Sequence, residues 1–174
     1  MQTSLYRGWF AAAKWGFTLA GVLALALLAF PAPSYAAPAA QEWGPPTLER
    51  LQRAIDHQER AVGRGDEVIA TSEAWIADLQ AQGVDTTLLE AALSEFRAGL
   101  DEARGLNASA AQILATRAGF DENGNVTDRQ VARQTITDVS RSVREAHKAL
   151  RWSLRDYRAA VAQFRRSIAG GQGQ

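Results

Sequence analysis

The chain has 174 residues, 19 Lys plus Arg against 19 Asp plus Glu, and 47% apolar residues, the size of one folding unit with no room for a second large domain. It contains no Cys, which excludes disulfide scaffolds, Cys-ligated zinc, iron–sulfur clusters, covalently attached haem and thiol nucleophiles. The formal net charge is zero, but the charges are unevenly distributed along the chain.

Residues 1–36 read as an export signal peptide. A short region carrying Arg7 and Lys14 precedes an uncharged run from Trp15 to Phe30, followed by Pro31, Pro33 and the small-residue site Ser34-Tyr35-Ala36. Cleavage is expected after Ala36. The alternative is a retained anchor, but the run of about 16 residues falls short of the roughly 20 that span a bilayer. No Cys follows the run, so the lipoprotein route is closed. The expected mature chain, Ala37 to Gln174, is extracytoplasmic, either periplasmic or secreted, with no integral membrane span after cleavage. Its first residues, 37–46, form a flexible Pro/Ala-rich leader.

Three long amphipathic helices follow, over about 47–82, 86–118 and 128–168, with no β-strand pattern. In the first, Thr47 offers a cap and Leu48, Ile55, Val62, Ile69 and Ile76 recur every seventh position, with Leu51 and Leu79 beside them. The middle of that second row is Gln58, Gly65 and Ser72, while Ala54, Ala61, Val68 and Trp75 widen the apolar face. Gly63 and Gly65 each cost roughly 1 kcal/mol against Ala, so this stretch is either loose or closely packed. Gly83 ends the helix.

The second helix opens at Asp85 or Thr86 and carries a heptad seam of Leu89, Leu93, Phe96, Leu100, Ala103, Asn107, Ala110 and Leu114, in which Asn107 reads as a register-fixing buried polar group. The break comes at Gly119 to Asn125. Thr127 and Gln130 have capping-box spacing ahead of the third helix, whose apolar side is Ala132, Ile136, Val139, Val143, Ala146, Leu150, Tyr157, Val161, Phe164 and Ile168. Gly170-Gly171 stops it, leaving 170–174 as a disordered tail. Short connections make neighbours antiparallel, so the expected fold is all-α: an elongated, coiled-coil-like, up-down-up three-helix bundle. The alternative is a helical hairpin with the third helix paired in trans.

Charge is partitioned between the helices. Thr47–Gln82 carries four Arg against seven acids, Asp85–Ala118 three against five, and Asp128–Ile168 ten basic residues against four. Edge positions Glu59, Asp66 and Glu73 suit ion pairs with a neighbouring helix. On the third helix Arg141, Arg144, Lys148, Arg151, Arg155 and Arg158 step by three and four, and Arg165 continues the row. In a heptad frame anchored on Ile136, Val143, Leu150, Tyr157 and Phe164, these cations face away from the seam, with Trp152 beside them. Glu145 and Asp156 are placed to satisfy the row in part.

Such a stripe is either a solvated polar face or a contact for an anionic surface or polymer, such as phospholipid headgroups, lipopolysaccharide, teichoic-type polymers or acidic protein segments. Nucleic acid is not expected as a partner. The protein is exported, and removing Arg7 and Lys14 leaves 17 basic against 19 acidic residues.

The loop Asp121–Asp128 resembles a shortened EF-hand. Asp121, Asn123, Asn125 and Asp128 offer oxygens, but Val126 stands where the loop Gly belongs and Ala132 where the bidentate Glu belongs. A polar Asn-Gly turn accounts for the same residues. Val126-Thr127-Asp128-Arg129-Gln130 also resembles one copy of the Leu-Thr-x-x-Gln motif of the Spy/CpxP class of all-helical periplasmic chaperones, which carries two copies. That resemblance implies a client-binding helical chaperone.

Catalytic signals are sparse. His57 shares no face with Asp56 or Glu59, His147 reads as a packing residue, and no Glu-x-x-His, Gly-rich phosphate loop, Gly-x-Ser-x-Gly or His-Glu-x-x-His occurs. The expectation is a non-enzymatic, metal-free and cofactor-free binding or structural module of the bacterial envelope, with the Arg stripe as its site. The alternatives are a holdase-like chaperone with a protein client, exposing a groove along Gln58, Gly65, Ser72 and Trp75, and a homo-oligomeric coiled-coil scaffold.

Overall fold

A computed structural model describes residues 43–171. The export signal, most of the leader and the last three residues lie outside the described residues. Three helices make up the fold: α1 (Pro45–Ala81), α2 (Thr87–Ala115) and α3 (Arg129–Gly171). With 37, 29 and 43 residues they span about 55, 44 and 65 Å at the α-helical rise. They pack on one another as an all-α three-helix bundle, with no strand among the described residues. None of these helices is long and apolar enough to cross a membrane.

The apolar rows named above form the core. Leu89, Phe96, Leu100, Ala103 and Ala110 of α2 face Ala132, Val139, Val143, Ala146 and Leu150 of α3, all nearly or fully buried. α2 and α3 approach one another most closely, because small residues line their contact. A Cβ on Gly99 would stand 2.5 Å from Ser153 Cβ, so only glycine permits that spacing. Above this pair, Phe96 stacks on Tyr157 with ring centroids 5.5 Å apart, and Trp75 of α1 meets Phe164 edge-on at 5.7 Å.

α1 closes the bundle with its seam residues Leu51, Ile55, Val62, Ile69, Ile76 and Leu79. The row Gln58, Gly65 and Ser72 is buried as well. Leu100 fills the space over Gly65, where a Cβ would lie 2.5 Å from Leu100 Cδ1. Ser72 donates its hydroxyl to the Val68 carbonyl at 2.7 Å. Gly63, by contrast, faces open space.

The helix ends differ from the expected ones for identifiable reasons. α1 starts at Pro45 with Gly44 as N-cap, since two prolines at the first helical positions need no N–H partner there. Thr47 is then a buried residue of the first turn, its N–H bonded to the Gly44 carbonyl at 2.8 Å. Gly83 adopts φ +76° and ends α1 in a Schellman turn, with Val84 N–H donating to Leu79 O at 3.1 Å. At α3 the cap is Asp128, not Thr127: its Oδ1 accepts from the N–H groups of Gln130 and Val131 at 2.9 and 3.1 Å. α3 also runs through Gly170 to Gly171, past its expected stop.

The α2–α3 connection folds back on itself through an isolated antiparallel bridge between Phe120 and Val126. Gly119, at φ +84°, accepts from the N–H groups of Thr127 and Asp128 and lies against the backbone of Ala132. Thr135 adds a hydroxyl bond to Ala118 O at 2.9 Å.

Two glycine substitutions test this account. Gly119→Ala places a Cβ into the Ala132 backbone at a left-handed φ and is expected to cost about 2 kcal/mol or more. Gly63→Ala meets nothing and is expected to stabilise by about 1 kcal/mol. Urea unfolding of both variants checks the opposite signs.

Candidate functional site

The cationic row of α3 divides into two parts. Arg141, Arg144, Lys148, Arg151 and Arg155 are exposed on the outer face, as their spacing predicts. Arg158 and Arg165 are not: both are half-buried, each with a buried Nε that has no hydrogen-bond partner. The reason is helical drift. A straight α-helix turns about 20° per heptad against a strict seven-residue repeat, so the row Arg144, Arg151, Arg158, Arg165 rotates step by step toward the core.

Ion pairing also departs from the expected pattern. Arg141 pairs with Asp138 at 3.2 Å, and Arg155 with its neighbour Asp156 at 2.8 Å. Glu145 pairs with neither flank of the row. Arg144, Lys148 and Arg151 have no ion-pair partner among the described residues. Trp152 is 47% exposed, and the Arg155 guanidinium sits 3.9 Å from the centre of its ring.

The edge acids of α1 behave otherwise. Asp66 accepts two bonds from Arg104 of α2 at 2.9 and 3.1 Å, which raises the pKa of the guanidinium further, and Glu73 pairs with Arg97. Glu59 has no such partner, because Ala111 stands opposite it in the register that these two pairs set. The α1–α2 flank is thus charge-complementary. On the other side of α2, a groove of about 350 Å³ against α3 is rimmed by Glu95, Glu102 and Asp156, with Trp152 as one wall and Gly99 and Ala149 in its lining.

Both histidines are half-buried, and they approach each other between α1 and α3. Burial holds the His147 pKa below the ordinary value of 6.5, and the positive charge of Arg151 and the His57 ring lower it further. Its Nε2 is buried without a partner. No Asp or Glu contributes to this shift.

In the Asp121–Asp128 loop the carboxylates bond to the loop itself. Asp121 accepts from Asn125 N–H at 2.8 Å and from Asn125 Nδ2 at 3.0 Å, bonds that hold its pKa below the usual carboxylate range, and Asp128 caps α3. No group of three or more His, Cys, Asp or Glu among the described residues is spaced to hold a metal. Val126-Thr127-Asp128-Arg129-Gln130 forms the turn into α3, with Thr127 exposed and Asp128 as cap. The groove expected along Gln58, Gly65 and Ser72 is filled by Leu100 and by the packing of α1.

Comparison of the chain with family models, with curated proteins and with solved structures finds no match.

The His147 environment gives a pH dependence. The folded state binds the imidazole proton less tightly than the unfolded chain, so the unfolded chain takes up more protons as pH falls through 6.5. Thermal stability is therefore expected to be full above that value and to decline below it. His147→Gln should flatten the decline, as measured by melting curves between pH 8 and pH 5.

Proposed function

We propose that this chain is an exported, non-enzymatic helical binding module of the bacterial envelope, and that it contacts an anionic surface or polymer through the cationic face of α3. The observation that carries this reading is the exposed run Arg144, Lys148 and Arg151, none of which has an ion-pair partner among the described residues. Where the bundle uses charge to hold its helices together, it pairs it, as at Asp66–Arg104 and Glu73–Arg97. Exposed cations left without partners contribute little to folding and keep their full field for an external anion.

The run continues through Arg155, which carries an aromatic face beneath it at Trp152. From Arg141 to Arg155 the exposed row extends about 21 Å at helical rise, long enough to meet several anionic groups at once. The N-terminal signal supports delivery to the compartment where envelope phosphates are exposed.

Salt-dependent co-sedimentation of Ala37–Gln174 with anionic and neutral vesicles tests the reading. This stretch retains the entire apolar core, which lies within residues 43–171. Binding to anionic vesicles that is lost as salt rises is expected. The quadruple change Arg144→Glu, Lys148→Glu, Arg151→Glu and Arg155→Glu should abolish it while circular dichroism stays helical. Unchanged association of that variant would exclude the α3 face.

A further inference from the structure

We infer that the strongest anion contact is the furrow between α1 and α3, and that it accepts a linear polyanion, a chain of closely spaced phosphate groups. This rests on the anion-binding reading above and adds a second wall to it. α1 and α3 run parallel, with His57 beside His147 and Trp75 against Phe164, so facing positions differ by about ninety in number. Arg53 of α1 therefore stands level with the stretch between Arg141 and Arg144, and Arg60 level with the stretch between Lys148 and Arg151.

The rotation of α1 puts these two arginines on the correct side. Asp66 and Glu73 mark the flank toward α2, through their pairs with Arg104 and Arg97. At about 100° per residue, Arg60 and Arg53 lie some 120–140° round the outer side of the helix from Asp66, within about 40–60° of His57 and Trp75 and so on the side toward α3. The half-buried His57, Val68 and Trp75 mark that α3-facing flank. On α3, Arg144 and Arg151 stand three residues before and four residues after His147, so they share the face on which that residue meets His57.

Five cations thus converge within about two helical turns: Arg53 and Arg60 from one wall, Arg144, Lys148 and Arg151 from the other. All five are exposed, and none has an ion-pair partner among the described residues. Adjacent helices with like-charged flanks repel, which is the reverse of the α1–α2 flank. α1 also approaches α3 less closely than either approaches α2. Glu67, one heptad beyond Arg60, ends the cationic row of α1.

The shape selects the occupant. A flat bilayer meets the outer crest of one helix and cannot reach both walls of a recess whose floor is the half-buried histidine pair. A narrow chain can lie in it, and four of the five cations are arginines, whose planar donors match phosphate oxygens in pairs.

The test is titration of Ala37–Gln174 with inorganic polyphosphate, alongside vesicles of phosphatidylglycerol and phosphatidylcholine. Two double variants of equal net charge are compared: Arg53→Gln with Arg60→Gln, and Arg97→Gln with Arg104→Gln. The first is expected to weaken polyphosphate binding about tenfold or more, the second less than about twofold, both with unchanged helicity.

Equal losses in the two variants would overturn the furrow in favour of net charge alone. An unaffected Arg53→Gln, Arg60→Gln variant would return the contact to α3. Binding to the anionic vesicles with none to polyphosphate would leave the anion-binding reading standing and overturn the linear ligand. A doubled molar mass at low salt that excludes polyphosphate would assign the furrow to the acidic groove of a second copy and overturn the proposal. Binding to neither probe would remove both readings.

Discussion

The contact that governs this fold is the close approach of α2 and α3. It is built from residues with almost no side chain: Gly99 against Ser153, and the completely buried Ala103, Ala110, Ala132 and Ala146. Small residues let two helical backbones approach until dispersion contacts run along most of their length. This pair then presents one continuous apolar trough, and α1 lies in it. Phe96 is accommodated at this contact by stacking on Tyr157 of α3. The third helix thereby loses one side to α2 and another to α1, and only the remaining arc is free to carry charge.

Inside the trough the core is divided. One apolar cluster is centred on Phe96, Leu100 and Leu150, the other on Ile55, Leu114 and Ile136. Gln58 and Asn107 fall between the two, and both are buried. The register that sets Gly65 against Leu100 sets Gln58 against Asn107, and each retains an unpaired buried atom, Gln58 Nε2 and Asn107 Oδ1. A donor and an acceptor at the same level are chemically complementary. A polar pair of this kind contributes less to stability than a leucine pair would, but a slip of one heptad would leave both groups facing hydrocarbon. The layer therefore opposes register errors in helices whose apolar rows repeat so regularly that they could otherwise slide.

The seven-residue repeats were legible from residue identity alone, because periodicity depends only on which side chains avoid water. The heptad seam of α2, Leu89 through Leu114, is buried at every position named, including Asn107. What was not legible is set by geometry between helices. Gln58, Gly65 and Ser72 looked like a gap in one helix, yet Leu100 of another helix fills it. Arg158 and Arg165 looked equivalent to Arg144 and Arg151 in a strict heptad frame, but the accumulated rotation of the helix buries part of each. The helix starts were misplaced where two residues competed for one role: Pro45 and Pro46 displaced Thr47, and Asp128 displaced Thr127 because a carboxylate accepts two N–H bonds where a hydroxyl commonly takes one.

The distribution of charge is the feature that neither composition nor any single helix reveals. A chain of zero formal net charge has one flank that pairs acids with arginines, one groove rimmed by acids, and one flank lined by arginines from two helices. Bundles held together by electrostatics place opposite signs across each boundary, as Asp66 and Arg104 do. Here the α1–α3 boundary keeps like charges together, and it is held by what lies beneath: Ala61, Val68 and Trp75 of α1, and Leu150, Leu154 and Phe164 of α3. Because apolar burial carries that boundary, the cations above it are not needed to close the bundle. Their mutual repulsion is a modest cost in water, where the dielectric screens it, and an anion between them would relieve it.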